Sequence, residues 1–137
     1  MIIYDSKLAK LLLKNHTTIT IMFIIFTIYK SLTQRLINHE NIHIRQWSEI
    51  SILSFCILGL LNHLSLISLL FCLIIYYIIY GLEYLIRFLI YYFTKDLSIK
   101  DLKYLTYKTI SFEAEAFNNQ DRNCYFKLFG WIRYILK

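Results

Sequence analysis

Apolar and polar residues alternate with different periods in successive stretches of this chain, and each period predicts a different element. In residues 1–16, Leu8, Leu11 and Leu12 share one helical face, with Lys7, Lys10 and Lys14 towards the other. This pattern predicts a short amphipathic helix resting on a membrane or on the rest of the domain. Residues 17–29, TTITIMFIIFTIY, are apolar but short of the roughly 20 residues that a helical span needs. Their Thr and Ile content favours extended backbone. One bent strand or a tight strand pair is predicted, with a short membrane helix as the competing assignment. Helical periodicity returns over residues 33–49, where Leu36, Ile37 and Ile44 would pack inward and Arg35, Arg45 and Glu49 would reach solvent. Thr33 stands where an N-cap is wanted.

Residues 50–93 are apolar almost throughout, with Glu83 and Arg87 the only charges. At ~1.5 Å per residue a single helix of that length would measure about 66 Å, twice a hydrocarbon core of about 30 Å. The run must therefore fold back, and Asn62-His63 is the most polar place for the turn. A transmembrane helical hairpin is predicted, its second arm emerging near Gly81-Leu82-Glu83 with Tyr76, Tyr77 and Tyr80 at the interface. Glu83 and Arg87, one helical turn apart, suit an ion pair at the membrane edge or a role in steadying a nearby site. Residues 94–108 are polar and basic. Residues 109–120 carry a helical pattern bearing Glu113 and Glu115, and 121–137 reads as an aromatic, basic interfacial tail with Trp131, Arg133 and Tyr134.

Composition narrows the class. The 137 residues suffice for one domain. Hydrophobic residues are 58% of the chain and there is no proline, which argues for long helices and against disorder. The net charge of +6 comes without a helix-turn-helix or other recognition element, so a nucleic-acid partner is not expected. Lysines and arginines flanking apolar runs instead mark the cytoplasmic side of a membrane. Cys56, Cys72 and Cys124 are widely spaced and odd in number, so no disulfide framework and no cysteine-ligated metal is expected. The first residues lack the order of a signal peptide.

One stretch carries chemistry. His39-Glu40-Asn41-Ile42-His43 spells H-E-x-x-H inside the predicted 33–49 helix. Residues four apart share a helical face, so both imidazoles can hold one Zn²⁺ while Glu40 takes a proton from the attacking water. Catalytic zinc needs a third protein ligand, and the glutamate-bearing 109–120 helix can supply it. The two glutamates there are two residues apart, so only one can face the metal. Among oxyanion stabilisers His63, Tyr104 and Tyr107 are candidates without a preference. Arg45 and Gln46, just after the motif, suit packing or helix-end hydrogen bonds, with substrate contact as the lesser reading. His16 and His63 read as ordinary polar positions.

These residues resemble a family. His-Glu-Asn-Ile-His-Ile-Arg-Gln, an apolar stretch, and then Ser-Phe-Glu-Ala-Glu-Ala-Phe-x-Asn look like small membrane zincins of Bacteroidetes type, over most of residues 17–125. More distantly, Phe112-Glu113-x-x-Ala116 is similar to the F-E-x-x-A-D segment of the CAAX prenyl protease and its bacterial heat-shock relatives. The resemblance implies a gluzincin-like site with His39, His43 and Glu113 on zinc, and leaves Glu115 as the alternative third ligand. Phe117 stands where the larger family has an Asp that orients a zinc histidine, so that orienting task would pass to Glu115 or Asn119. The strand region also lacks the proline of the relatives.

Together these features predict a single-domain, mainly α membrane protein with a small β element, its site at the cytoplasmic face of the inner membrane. Meeting of the histidines and the third ligand on one side requires an even number of spans between them, hence a multi-pass chain. The predicted activity is zinc-dependent hydrolysis of peptide bonds in a membrane-proximal protein, laid as an extended strand beside residues 17–28. The alternative is a non-enzymatic membrane protein with a structural zinc or a degenerate zincin site used for partner binding. A small pore-forming protein is a third reading, for which His39→Ala would change nothing. Oligomeric state is left open by the sequence.

Overall fold

The computed structural model describes residues 1–12 and 17–135. The chain is mainly helical with one small sheet. In order it forms β1 (Ile2–Ile3), α1 (Lys7–Leu12), β2 (Thr18–Ile21), β3 (Ile24–Thr27), α2 (Gln34–Leu60), α3 (Leu66–Thr94), α4 (Ile99–Thr109), α5 (Ser111–Asn119) and a 3₁₀ turn at Gly130–Tyr134.

The Thr/Ile segment is a tight strand pair. β2 and β3 are antiparallel, with Ile21 opposite Ile24 across a two-residue turn. Met22 takes the left-handed conformation in that turn, φ 55°, a place that usually goes to glycine. Its N–H donates to the Tyr77 hydroxyl at 2.5 Å, which ties the turn to α3. β1 adds to β3 in parallel, giving the order β1-β3-β2 and leaving β2 on an edge. The predicted amphipathic helix is corrected at its start: Ile2 and Ile3 are strand, and helix begins with α1, where Ala9 is buried and Leu11 is exposed. The part of that prediction on residues 13–16, with Lys14 and His16, lies outside the described residues.

The predicted boundary at residue 49 does not exist. Thr33 caps α2, its hydroxyl accepting from Leu36 N–H, and the helix runs unbroken through the motif into the apolar run. With no proline and no glycine before Gly59, the change from polar to apolar residues needs no break. The first predicted membrane arm is therefore the continuation of the motif helix. Its apolar end, residues 52–60, rises only about 14 Å, too little for a span. Among the described residues α3 alone is long and apolar enough to cross a membrane. This replaces the two-span hairpin and its count of spans. The turn lies where expected: Asn62 adopts φ 55°, and Asn62 and His63 donate to Gly59 and Leu58 carbonyls. Ser65 and Ser68 then form a reciprocal cap on α3.

The basic stretch after α3 becomes α4, capped by Ser98, with Leu102 and Thr106 turned inward. Glu83 accepts from the Ser111 N–H at 2.8 Å and the Ser111 hydroxyl at 2.6 Å, so it caps α5. Arg87 binds Glu83 at 2.8 Å and the carbonyls of Tyr134 and Ile135. The Glu83–Arg87 pair thus fastens α5 and the C-terminal segment to α3. Among the described residues that segment forms no α-helix: it folds back as a 3₁₀ turn with Trp131 against Phe112, ring centroids 4.7 Å apart. Phe112, Ile110, Ile50 and Tyr76 form the buried centre.

Candidate metal centre

His39 and His43 project from one face of α2, and α5 packs directly on that face to bring in Glu113. All three are buried. His39 Nε2 and His43 Nε2 lie 3.2 Å apart. Glu113 places Oε2 3.3 Å from His39 Nε2 and Oε1 3.3 Å from His43 Nε2. A tetrahedral ion with ligands at ~2.0–2.1 Å has neighbouring donors about 3.3 Å apart. The three side chains form a donor triangle of about that spacing, one carboxylate oxygen towards each histidine, and could hold a metal ion. Glu113 Oε2 is buried and faces His39 among the described residues.

Glu113 is held from two sides. Tyr80 of α3 donates to its Oε1 at 2.9 Å, and Tyr107 of α4 hydrogen-bonds to the same carboxylate. Burial would raise the Glu113 pKa, yet the adjoining imidazoles outweigh it and hold the group well below the usual carboxylate range. For His43, burial pulls downward, while the Glu113 and Glu40 charges and its hydrogen bonds lift it to about 9.

Glu40, between the histidines, is also buried and opens into the same cavity of about 310 Å³. Its Oε2 accepts from the Thr20 hydroxyl at 2.6 Å, so the edge strand positions it. Thr18, Ile19 and Thr20 form one wall of the cavity, and Tyr77, Tyr80 and Tyr84 of α3 form the other.

Behind His43 stands Gln46. Its Oε1 faces His43 Nδ1 at 2.9 Å, while its Nε2 donates to the Phe112 carbonyl at 3.0 Å and to Glu115 Oε2 at 2.8 Å. Glu115 has no access to solvent and points away from the three donors. It binds Arg45 at 2.6 Å and accepts from the Tyr125 hydroxyl at 2.9 Å. The structure thus separates the two glutamates: Glu113 faces the histidines and Glu115 braces one of them through Gln46. Asn119 does not share this task, since its amide turns back to the Glu115 carbonyl at 2.7 Å. His39 has no equivalent support. Among the described residues its Nδ1 is buried without a hydrogen-bond partner, and its ring packs against Phe117, centroids 4.7 Å apart.

Of the oxyanion candidates, only Tyr107 lines the cavity; Tyr104 is exposed and His63 lies exposed at the hairpin turn. Sequence reasoning did not single out Thr20, Tyr80 or the brace made by Gln46. Gln46 carried a usable signal, standing three residues after His43 on the same helical face. Thr20 and Tyr80 reach the site across long sequence separations and carried none. No family model matches the chain, and neither the curated proteins nor the solved structures contain a significant match.

Proposed function

We propose that this chain is a membrane-anchored zinc metallopeptidase of the gluzincin type, with His39, His43 and Glu113 on the metal and Glu40 as general base. The observation that carries this reading is the donor triangle with a buried glutamate beside it and an edge strand along the same cavity. A His₂Glu set suits zinc, which takes nitrogen and oxygen donors and in catalytic sites keeps a fourth position open. When bound, zinc supplies a Lewis acid that acidifies water and polarises the scissile carbonyl.

The chain's own residues do the rest. Among the described residues the outer edge of β2 has no strand partner, so a substrate adds to it as an extended strand. Glu40, held by Thr20, takes the proton of the attacking water as the carbon–oxygen bond forms. It passes that proton to the amide nitrogen as the carbon–nitrogen bond breaks. Tyr80 and Tyr107 keep the Glu113 carboxylate in place. The exposed apolar face of α3, carrying Ile74, Ile78, Leu82 and Leu85, fits a lipid bilayer, and the basic segment that follows fits the cytoplasmic side of the inner membrane. The substrate is then a membrane-associated or near-membrane polypeptide.

The second reading is a non-hydrolytic protein with a structural metal. The orphan His39 Nδ1 favours it, since metal-binding histidines of working enzymes usually donate to an acceptor there. Zinc content and hydrolysis of a membrane-tethered peptide, measured for the wild type and Glu40→Gln, separate the two. Hydrolysis lost with zinc retained supports the peptidase. A zinc-loaded wild type that cleaves none of a broad peptide library supports the structural reading.

A further inference from the structure

The tail that follows α5 is attached to the metal centre, not merely to the fold. A glutamine amide can present either its oxygen or its nitrogen, and the two orientations differ little in shape. Only the oxygen can accept from His43 Nδ1–H, and only that tautomer leaves Nε2 with a lone pair for an ion. What selects the orientation is Glu115, which as a carboxylate can only accept and therefore captures the Gln46 nitrogen. The Phe112 carbonyl captures the same nitrogen. Glu115 in turn is confined by residues from the far end of the chain. Tyr125 donates to its Oε1 at 2.9 Å. Gly130 lies so close that an added Cβ would stand 2.1 Å from that oxygen. Arg45 completes the enclosure, bridging Glu115 to the Tyr125 carbonyl. Phe129 anchors the turn by donating to Glu49 Oε2 at 3.1 Å.

We propose that the segment 122–135 acts as a metal-retention clamp: Tyr125 and Gly130 are positioning residues that hold Glu115, and through Gln46 fix His43 as a metal ligand. This rests on the assignment of His39, His43 and Glu113 as the metal centre. The segment has no atom in the donor triangle; its polar route to His43 is the Glu115–Gln46 relay, beside the packing of Trp131 on Phe112. It follows that a change in the tail tunes metal affinity without touching a ligand.

The test uses the full-length protein in detergent or lipid nanodiscs. Zn²⁺ affinity is read by competition with a chromogenic chelator, ligand geometry by the visible absorption of the Co²⁺-loaded protein, and folding by the melting temperature of the metal-free protein. Gly130→Ala should lower Zn²⁺ affinity by about 10–100-fold, the range for loss of a partner behind a ligand, and alter the Co²⁺ band. Tyr125→Phe removes one hydroxyl and should lower affinity by a smaller factor, of about 3–10-fold, with the same change in the Co²⁺ band. Ile132→Ala, an exposed residue of the same turn, should leave both readouts alone. Should Gly130→Ala fail to fold, Tyr125→Phe decides. Wild-type affinity and an unchanged Co²⁺ band in Tyr125→Phe would overturn the clamp. A wild type that binds no more Zn²⁺ than His43→Ala would instead overturn the metal centre itself.

Discussion

His39 and His43 come from one motif and one helical face, yet their surroundings differ sharply. His43 is backed by a polar relay running from Gln46 to Glu115 and on to Arg45 and Tyr125. His39 is backed by the Phe117 ring, with Nδ1 buried and unpartnered. A buried polar group without a partner costs about 1–3 kcal/mol. Two histidines that a motif treats as equal are therefore unequal ligands: one is oriented by an acceptor behind it and the other has only an aromatic ring there. The lesson is that an H-E-x-x-H match specifies where donors point, while the strength of the site is decided by residues far away in sequence.

Several substitutions would break or sharpen this contrast. The largest expected effect is on hydrolysis. Glu40→Gln should reduce peptide cleavage by about 10²–10⁴-fold while zinc content stays at one per chain by metal analysis. The unequal support comes next. Gln46→Leu should weaken Zn²⁺ binding by about 10–100-fold in chelator competition, whereas Phe117→Leu should change it little, because Phe117 gives His39 no acceptor to lose. If the two variants behave alike, the asymmetry has no energetic content. Phe117→Asp probes the same contrast from the other side. A carboxylate near His39 Nδ1 should tighten Zn²⁺ binding by up to about tenfold, and weaker binding would mean that His39 needs the aromatic contact.

Proton competition gives a graded test. His43 in the metal-free protein titrates near 9, raised from 6.5. A raised pKa stabilises the metal-free fold fully below 6.5, and that contribution is lost as pH rises through about 9. The melting temperature without metal should accordingly fall across that window. Zinc must displace the same proton, so apparent Zn²⁺ affinity should rise by about tenfold per pH unit and level off above the His43 pKa. Isothermal titration in buffers of different ionisation heat would register the released proton. Glu113, held well below the usual carboxylate range, should add none in this window.

The parts of the molecule that were legible in the sequence are those governed by local rules. Thr and Ile content indicated extended backbone over 17–29, as one bent strand or a pair, Asn62 marked the hairpin turn, and four-residue spacing put the histidines together. Glu113 was legible as a candidate because a helix bearing two glutamates followed the motif. What escaped depends on contacts between distant segments. β1 pairs with β3 across 23 positions, Ile2 opposite Ile25, which no local pattern encodes. α2 passes smoothly from polar to apolar residues, so a change of composition looked like a boundary that the backbone never makes. Glu83 had a visible partner in Arg87, but its capping of Ser111 required the packing of α5 on α3. The C-terminal aromatics suited an interface by composition, while Gly130 and Trp131 are placed by Glu115 and Phe112.

The most direct test of the central claim is the anomalous difference map of a crystal grown with zinc, collected on both sides of the zinc absorption edge. The account predicts one peak at about 2.0–2.2 Å from His39 Nε2, His43 Nε2 and a Glu113 carboxylate oxygen. A map with no peak among these three side chains, or with the zinc bound to Glu115 in place of Glu113, would contradict it.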